Sequence, residues 1–173
     1  MPNMRTKSSK QSKEEALVLH FAKETPLHLG VKKLAKLMYF TDFTAYELQK
    51  KSITGDEYKK YNYGPIPVNF YTVLDSLKTK KYINYFSQTA EFVPASIQPL
   101  ISPDYSLFSE KELQLIQSIT DKYRNATASE LEQIAKNEPP YKIVEYNEKI
   151  PYHLAFYRNT FGEMELNGDE NTL

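Results

Sequence analysis

Cysteine and tryptophan are absent from this 173-residue chain, and histidine (3) and glycine (5) are scarce. Without cysteine there is no disulfide, no thiolate nucleophile and no cysteine-ligated zinc or iron–sulfur site, a usage that suits a reducing cytosol. His20, His28 and His153 stand far apart, so no His-x-x-x-His or Glu-x-x-His metal spacing exists. A glycine-rich phosphate loop and a Gly-x-Ser-x-Gly elbow are missing as well. His20 and His153 lie among apolar neighbours and read as partly buried packing residues. The acid pairs Glu14-Glu15 and Asp56-Glu57 are chain neighbours that face different ways, not the convergence that acid–base chemistry needs. No enzyme, metal or cofactor is expected.

Net charge is lacking too: 22 basic residues balance 22 acidic ones. The charge is uneven at the ends. Residues 1–13 carry Arg5, Lys7, Lys10 and Lys13 without an acid, and residues 161–173 carry Glu163, Glu165, Asp169 and Glu170 without a base. Both stretches lack apolar periodicity and are read as disordered tails around a single compact domain at 14–160. No apolar run follows the first basic residues, so they do not form a signal peptide, and no later segment reaches the length of a membrane span. The expectation is a cytoplasmic protein with no membrane partner.

What is present is helical patterning. Residues 14–24 keep helical spacing until Thr25-Pro26 stops them. Residues 31–51 run without Gly or Pro. At about 100° per residue, Val31, Leu34, Ala35, Leu37, Met38, Ala45, Tyr46 and Leu48 share one arc, while Lys32, Lys33, Lys36, Glu47, Lys50 and Lys51 share the other. Two features break the pattern. Asp42 falls inside the apolar arc, where it needs hydrogen bonds from tyrosine hydroxyls or loop amides. Phe40 and Phe43 fall among the lysines and point to a second packed layer over that face, the alternative being aromatics exposed for a partner.

A turn at Thr54-Gly55-Asp56 precedes a short strand near 57–63, and "YNYGPIP" (61–67) reads as a bend that ends it, with Pro67 opening the next helix. "YINYF" and "EFVPA" suggest a β-hairpin near 82–95, and the proline-rich 94–108 an extended connection. "SEKE" (109–112) and "TASE" (127–130) are capping boxes that start two further helices. Pro139-Pro140 opens a short helix, and 150–158 is a last apolar segment, either helix or strand. The fold class expected is α+β, predominantly helical, with about six helices and a small β element.

"KLAKLMYFTDF" (33–43), "YKKYNYGPIPVNFYTVLDSLKTKKYI" (58–83) and "FSEKELQLIQSITDKYRNATASELEQIAKNEPPYKIV" (108–144) resemble, in order and spacing, the Panacea domain, the SocA-like antitoxin or phage-associated GepA-like family. Many relatives carry His and then Trp in the late motif, where this chain has Asn137 and Tyr141. The resemblance implies a prophage or mobile-element type II antitoxin that neutralises a cognate toxin, encoded by an adjacent gene, through direct binding. In one branch it also implies an adaptor that delivers the toxin to a cytosolic protease. Its 14 Tyr and 9 Phe suit such an interface. Asp42, Tyr46, Tyr61, Tyr63, Gly64 and Pro65 are expected in one cluster, and Tyr71 and Tyr141 join them as partner-binding or motif-supporting positions. The alternative is a winged-helix-like nucleic-acid binder built on helix 67–81 with Lys78, Lys80 and Lys81 and the hairpin after it. A neutral domain disfavours it, since phosphate contacts supply most of such affinity.

Overall fold

The computed structural model describes residues 10–25, 29–86 and 96–158. These residues form an α+β domain, predominantly helical, with two small antiparallel hairpins. Helix α1 (Lys13–Glu24) begins at Ser12, whose side chain accepts from Glu15 N while Glu15 reaches back to Ser12 N. This third capping box, "SKEE", is the same signature as the other two. Those are formed as expected at α4 (Glu110–Tyr123), behind Ser109, and α5 (Ala128–Asn137), behind Thr127. Pro139 starts α6 (Pro139–Ile143). Gln11, within the stretch read as a basic tail, is buried and bonded to Ser102 O and Asp104 N.

Helix α2 (Val31–Gln49) is the axis of the domain. Its apolar arc faces the core from Leu34 to Ala45, with Val31 and Tyr46 half-buried and Leu48 exposed, but its lysine face is covered as well. Helices α4 and α5 lie over that side, so that Lys33, Lys36 and Glu47 are buried beside Phe40 and Phe43. Phe40 stacks on Tyr123 of α4 at 4.6 Å and Phe43 on Tyr152 at 4.8 Å. Each such ring contributes roughly 2–3 kcal/mol on burial, enough to draw the aliphatic lysine stems in with it. Lys33 Nζ ends on Arg124 O at the C-terminus of α4, where a cation is favoured by the helix dipole.

"GPIP" is not the bend. Strand β1 (Tyr58–Tyr61) turns at Asn62-Tyr63 into β2 (Gly64–Pro67), so the proline-rich stretch is itself a strand. Tyr58, Lys59, Lys60 and Tyr61 face Pro67, Ile66, Pro65 and Gly64. Val68 N donates to Glu57 O, which sets the alternation: Pro65 and Pro67 oppose residues whose backbone bonds turn the other way. There Lys60 N donates to Glu148 O, and Ile150 N to Tyr58 O. The two prolines thus occupy edge positions where no N–H is needed. Pro67 consequently does not open a helix; α3 (Phe70–Thr79) starts three residues later.

The second hairpin pairs β3 (Ile83–Phe86) with β4 (Ser96–Pro99). The stretch expected as its second strand, 91–95, lies outside the described residues, and β4 comes from the stretch read as a connection. Ile97, buried in β4, donates its N–H to Leu29 O and ties the hairpin to the start of α2. The last apolar segment is a 3-10 helix, Tyr152–Tyr157, packed on α2 and α6. No helix among the described residues is long and apolar enough to cross a membrane.

Candidate partner-binding surface

The β1–β2 hairpin lies along α2 in the reverse direction, so residues far apart in sequence meet in register. At its base, Asp42 is fully buried and accepts four hydrogen bonds: from Ile53 N and Thr54 N at 2.9 Å, and from Thr54 Oγ1 and Tyr58 OH at 2.6 Å. Burial raises its pKa, and these four donors work against that rise. The donors expected for an inward Asp42, a tyrosine hydroxyl and loop amides, are the ones found.

Toward the hairpin tip, Gly64 has φ +109° and lies directly over Lys36; a Cβ built there would stand 2.4 Å from Lys36 Cε. Tyr63, in the turn, is 58% exposed and holds Lys32 Nζ over its ring at 4.3 Å. Tyr141 OH donates to Tyr61 O at 2.6 Å, and Lys60 Nζ donates to Val144 O while lying over the Tyr141 ring. Tyr61 meets Tyr146 edge to face at 6.3 Å. Tyr146 is 59% exposed and Ile143 58%. Tyr61 at the end of β1 and residues 141–147 are therefore joined, clamped by Lys60 and Tyr141, and exposed aromatic rings stand at Tyr146 and, in the turn, at Tyr63.

The sequence-selected residues thus fall into separate places. Tyr61, Tyr63, Gly64, Pro65 and Tyr141 gather around the N-terminal half of α2. Asp42 lies on the same helix six residues beyond Lys36, about 9 Å further along it. Tyr46 is a turn further on, stacked on Tyr152 at 5.2 Å and against Phe156. Tyr71 is 61% exposed on α3, and its ring meets that of Phe70. The expected single cluster is two groups strung along α2, because a hairpin of four-residue strands spans about the length of two helical turns.

Several supporting residues carried no signal in the sequence. Arg158, buried, donates to Glu138 from Nε at 3.0 Å and to Thr44 Oγ1 from Nη1 at 3.1 Å, and lies over the Tyr39 ring. Tyr152 OH donates to Asp56 O. Asp56 also accepts from Asn69 N, Asn69 Nδ2 and Glu57 N, so one carboxylate joins the β1 approach to the start of α3. Of the lysines that suggested nucleic-acid binding, Lys80 is paired with Glu15 at 2.9 Å, and Lys78 with Asp75, with the Tyr85 ring beside it.

Glu14 converges with Asp56, although neither has a useful neighbour in sequence. Burial, and then the Asp56 carboxylate, push Glu14 up to about 7. Burial raises the Asp56 pKa as well, and the amides of Asn69 and Glu57, with the Glu14 carboxyl, work against that rise; Glu14 Oε2 is buried without a hydrogen-bond partner. His20 is buried, as expected, and burial lowers its pKa to about 4. Thr120 donates its hydroxyl proton to Ile116 O, so His20 donates from Nε2 to Thr120 and accepts at Nδ1 from Tyr105 OH. His153, expected to be partly buried, is exposed, because the 3-10 helix turns Leu154 and Ala155 inward instead. No group of three or more His, Cys, Asp or Glu among the described residues could hold a metal ion.

The two groups give opposite pH slopes. Glu14's raised pKa contributes stability that is fully present below pH 4.5 and is lost as pH rises toward 7. His20's lowered pKa contributes stability present above pH 6.5 and lost as pH falls toward 4. Glu14→Gln should therefore gain on wild type progressively from pH 4.5 to 7 in urea melts. A difference independent of pH would show that Glu14 is not protonated in the folded protein.

Comparison with protein families finds a match over residues 34–142, more than half of the chain, to the family described as antitoxin SocA-like, Panacea domain. No curated protein and no solved structure matches the chain. The matched span runs from the first buried leucine of α2 to α6. It encloses the Asp42 loop clamp, the Gly64–Lys36 contact and the Tyr141–Tyr61 tie, in which the central helix, the Gly-Pro strand and the late motif meet. The chain belongs to the SocA-like antitoxin, Panacea domain, family.

Proposed function

We propose that this protein is an antitoxin that neutralises a cognate toxin, encoded by an adjacent gene of a prophage or other mobile element, by direct contact in the cytoplasm. The observation that carries the reading is membership of an antitoxin family over residues 34–142. Within that span the motif residues Asp42, Gly64, Pro65 and Tyr141 are buried and support the scaffold. Contact falls to Tyr63 and Tyr146, with Tyr61 and Ile143 beside them, since exposed aromatic residues held on a rigid base lose little entropy on binding.

Co-expression with the product of the adjacent gene should rescue growth and yield a complex. Tyr63→Ala and Tyr146→Ala should each weaken that complex by about tenfold or more with melting unchanged. A wild-type chain that neither rescues growth nor co-purifies with that product contradicts the reading. If the adaptor role of one family branch extends to this protein, the captured toxin will also turn over faster in cells that hold the cytosolic protease than in cells lacking it.

A further inference from the structure

Lys36 is the anomaly of the hairpin tip. It is 1% exposed, yet its ammonium has no hydrogen-bond acceptor and no ion-pair partner among the described residues. A lysine this deep is normally paired, because an uncompensated charge is costly to desolvate. Lys36 keeps 1% of its surface, so its contact with solvent is narrow. Gly64 makes the room. Any side chain there would strike Lys36 Cε, so the backbone of β2 comes down onto the lysine stem and leaves the ammonium beside the Asn62-Tyr63 turn.

The surroundings are short of negative charge. Lys32 precedes Lys36 by one helical turn on the same face, and Lys136 and Glu132 act on it from α5. Glu132, the single acid among them, is already paired with Lys136 at 3.1 Å. Burial, more than any neighbouring charge, pulls the Lys36 pKa down to about 8. A carboxylate arriving here would meet an unpaired ammonium, a second lysine at Lys32 and an exposed aromatic face at Tyr63.

We propose that Lys36 is a seat for a carboxylate, the side chain of an Asp or Glu on the toxin, which completes an ion pair left open in the free protein. The inference rests on the antitoxin reading above and specifies the chemistry of its partner. Phosphate-bearing ligands would need several donors in fixed geometry, whereas one ammonium with one flanking lysine suits a single carboxylate.

The test uses the full chain with lysine side chains labelled for NMR, the Lys36 signal being identified by its loss in Lys36→Met. Titrated in chloride, Lys36 should ionise near pH 8; in acetate at equal ionic strength, its midpoint should move upward while those of other lysines stay fixed. A midpoint that acetate leaves unchanged overturns the proposal. In co-purification with the adjacent gene's product, Lys36→Met should lose about tenfold or more in affinity, and Lys36→Arg should retain more of it. Because Met keeps the stem and removes a buried charge, melting should be maintained; Lys36→Gln serves as the second variant. Equal capture by wild type and Lys36→Met overturns the carboxylate seat while leaving the antitoxin reading intact. Acetate binding without any capture by wild type does the reverse: the anion site stands, and the toxin reading fails.

Discussion

Asp42→Ala should lower stability by about 4 kcal/mol, since it leaves the amides of buried Ile53 and half-buried Thr54 and the hydroxyls of Thr54 and Tyr58 without their acceptor, at roughly 1–3 kcal/mol for each donor that water cannot reach. For a chain of this size that corresponds to a fall in Tm of about 10 °C. The loss is specific to the acceptor rather than to volume. Asp42→Asn keeps one carbonyl oxygen for Ile53 N and Thr54 N, and the new amide can donate to Thr54 and Tyr58, whose hydroxyls can reverse roles. Asp42→Asn should therefore cost only about 1 kcal/mol. Thermal melts of the two variants against wild type separate a structural carboxylate from an interface one. If Asp42→Ala melts like wild type but no longer captures the toxin, Asp42 belongs to the interface instead.

Gly64→Val should be at least as damaging, at about 4 kcal/mol, for two independent reasons. At φ +109° a β-branched residue is strained by roughly 1–3 kcal/mol, and its side chain must occupy space held by Lys36. Overpacking of that kind costs about 1–3 kcal/mol more. The two parts can be measured apart. Lys36→Ala introduced with Gly64→Val should relieve the overlap and leave the backbone strain, so the double variant should be more stable than the two single losses added together. Additive losses would mean that the contact between β2 and the lysine stem is not what excludes a side chain at position 64.

Both sites bear on how a family signature should be read. Asp42, Gly64 and Tyr141 belong to the motifs that carry the resemblance, and all three are buried. Each joins elements distant in sequence: Asp42 holds the approach to β1, Gly64 lets β2 lie on α2, and Tyr141 ties α6 to the tip of β1. Motifs of this kind mark the scaffold. The residues with area to offer a partner, Tyr63, Ile143 and Tyr146, sit between and beside them.

Some of this was legible one residue at a time. Capping depends on four consecutive residues, so "SEKE" and "TASE" placed the starts of α4 and α5, and "SKEE" could have placed that of α1. Periodicity located α2 and singled out Asp42 as a carboxylate needing donors, and the stranded phenylalanines pointed to a second layer. Turn chemistry misled at "YNYGPIP". Pro and Gly mark a break in local terms, but here each proline N is on the sheet edge that nothing pairs, and the glycine serves a close approach to α2.

By itself, then, the sequence determined what is local or ordered along the chain: the helix starts, the amphipathic core arc, the absence of thiol chemistry and the order of motifs that marks the family. Only the tertiary structure decided which groups meet across long separations. Glu14 with Asp56, Arg158 with Glu138, and Lys36 beneath Gly64 are pairings that no spacing rule contains. Their consequences, a raised carboxyl pKa, a buried ion pair and an open ammonium, come from desolvation, which depends on what the rest of the chain places around a charge.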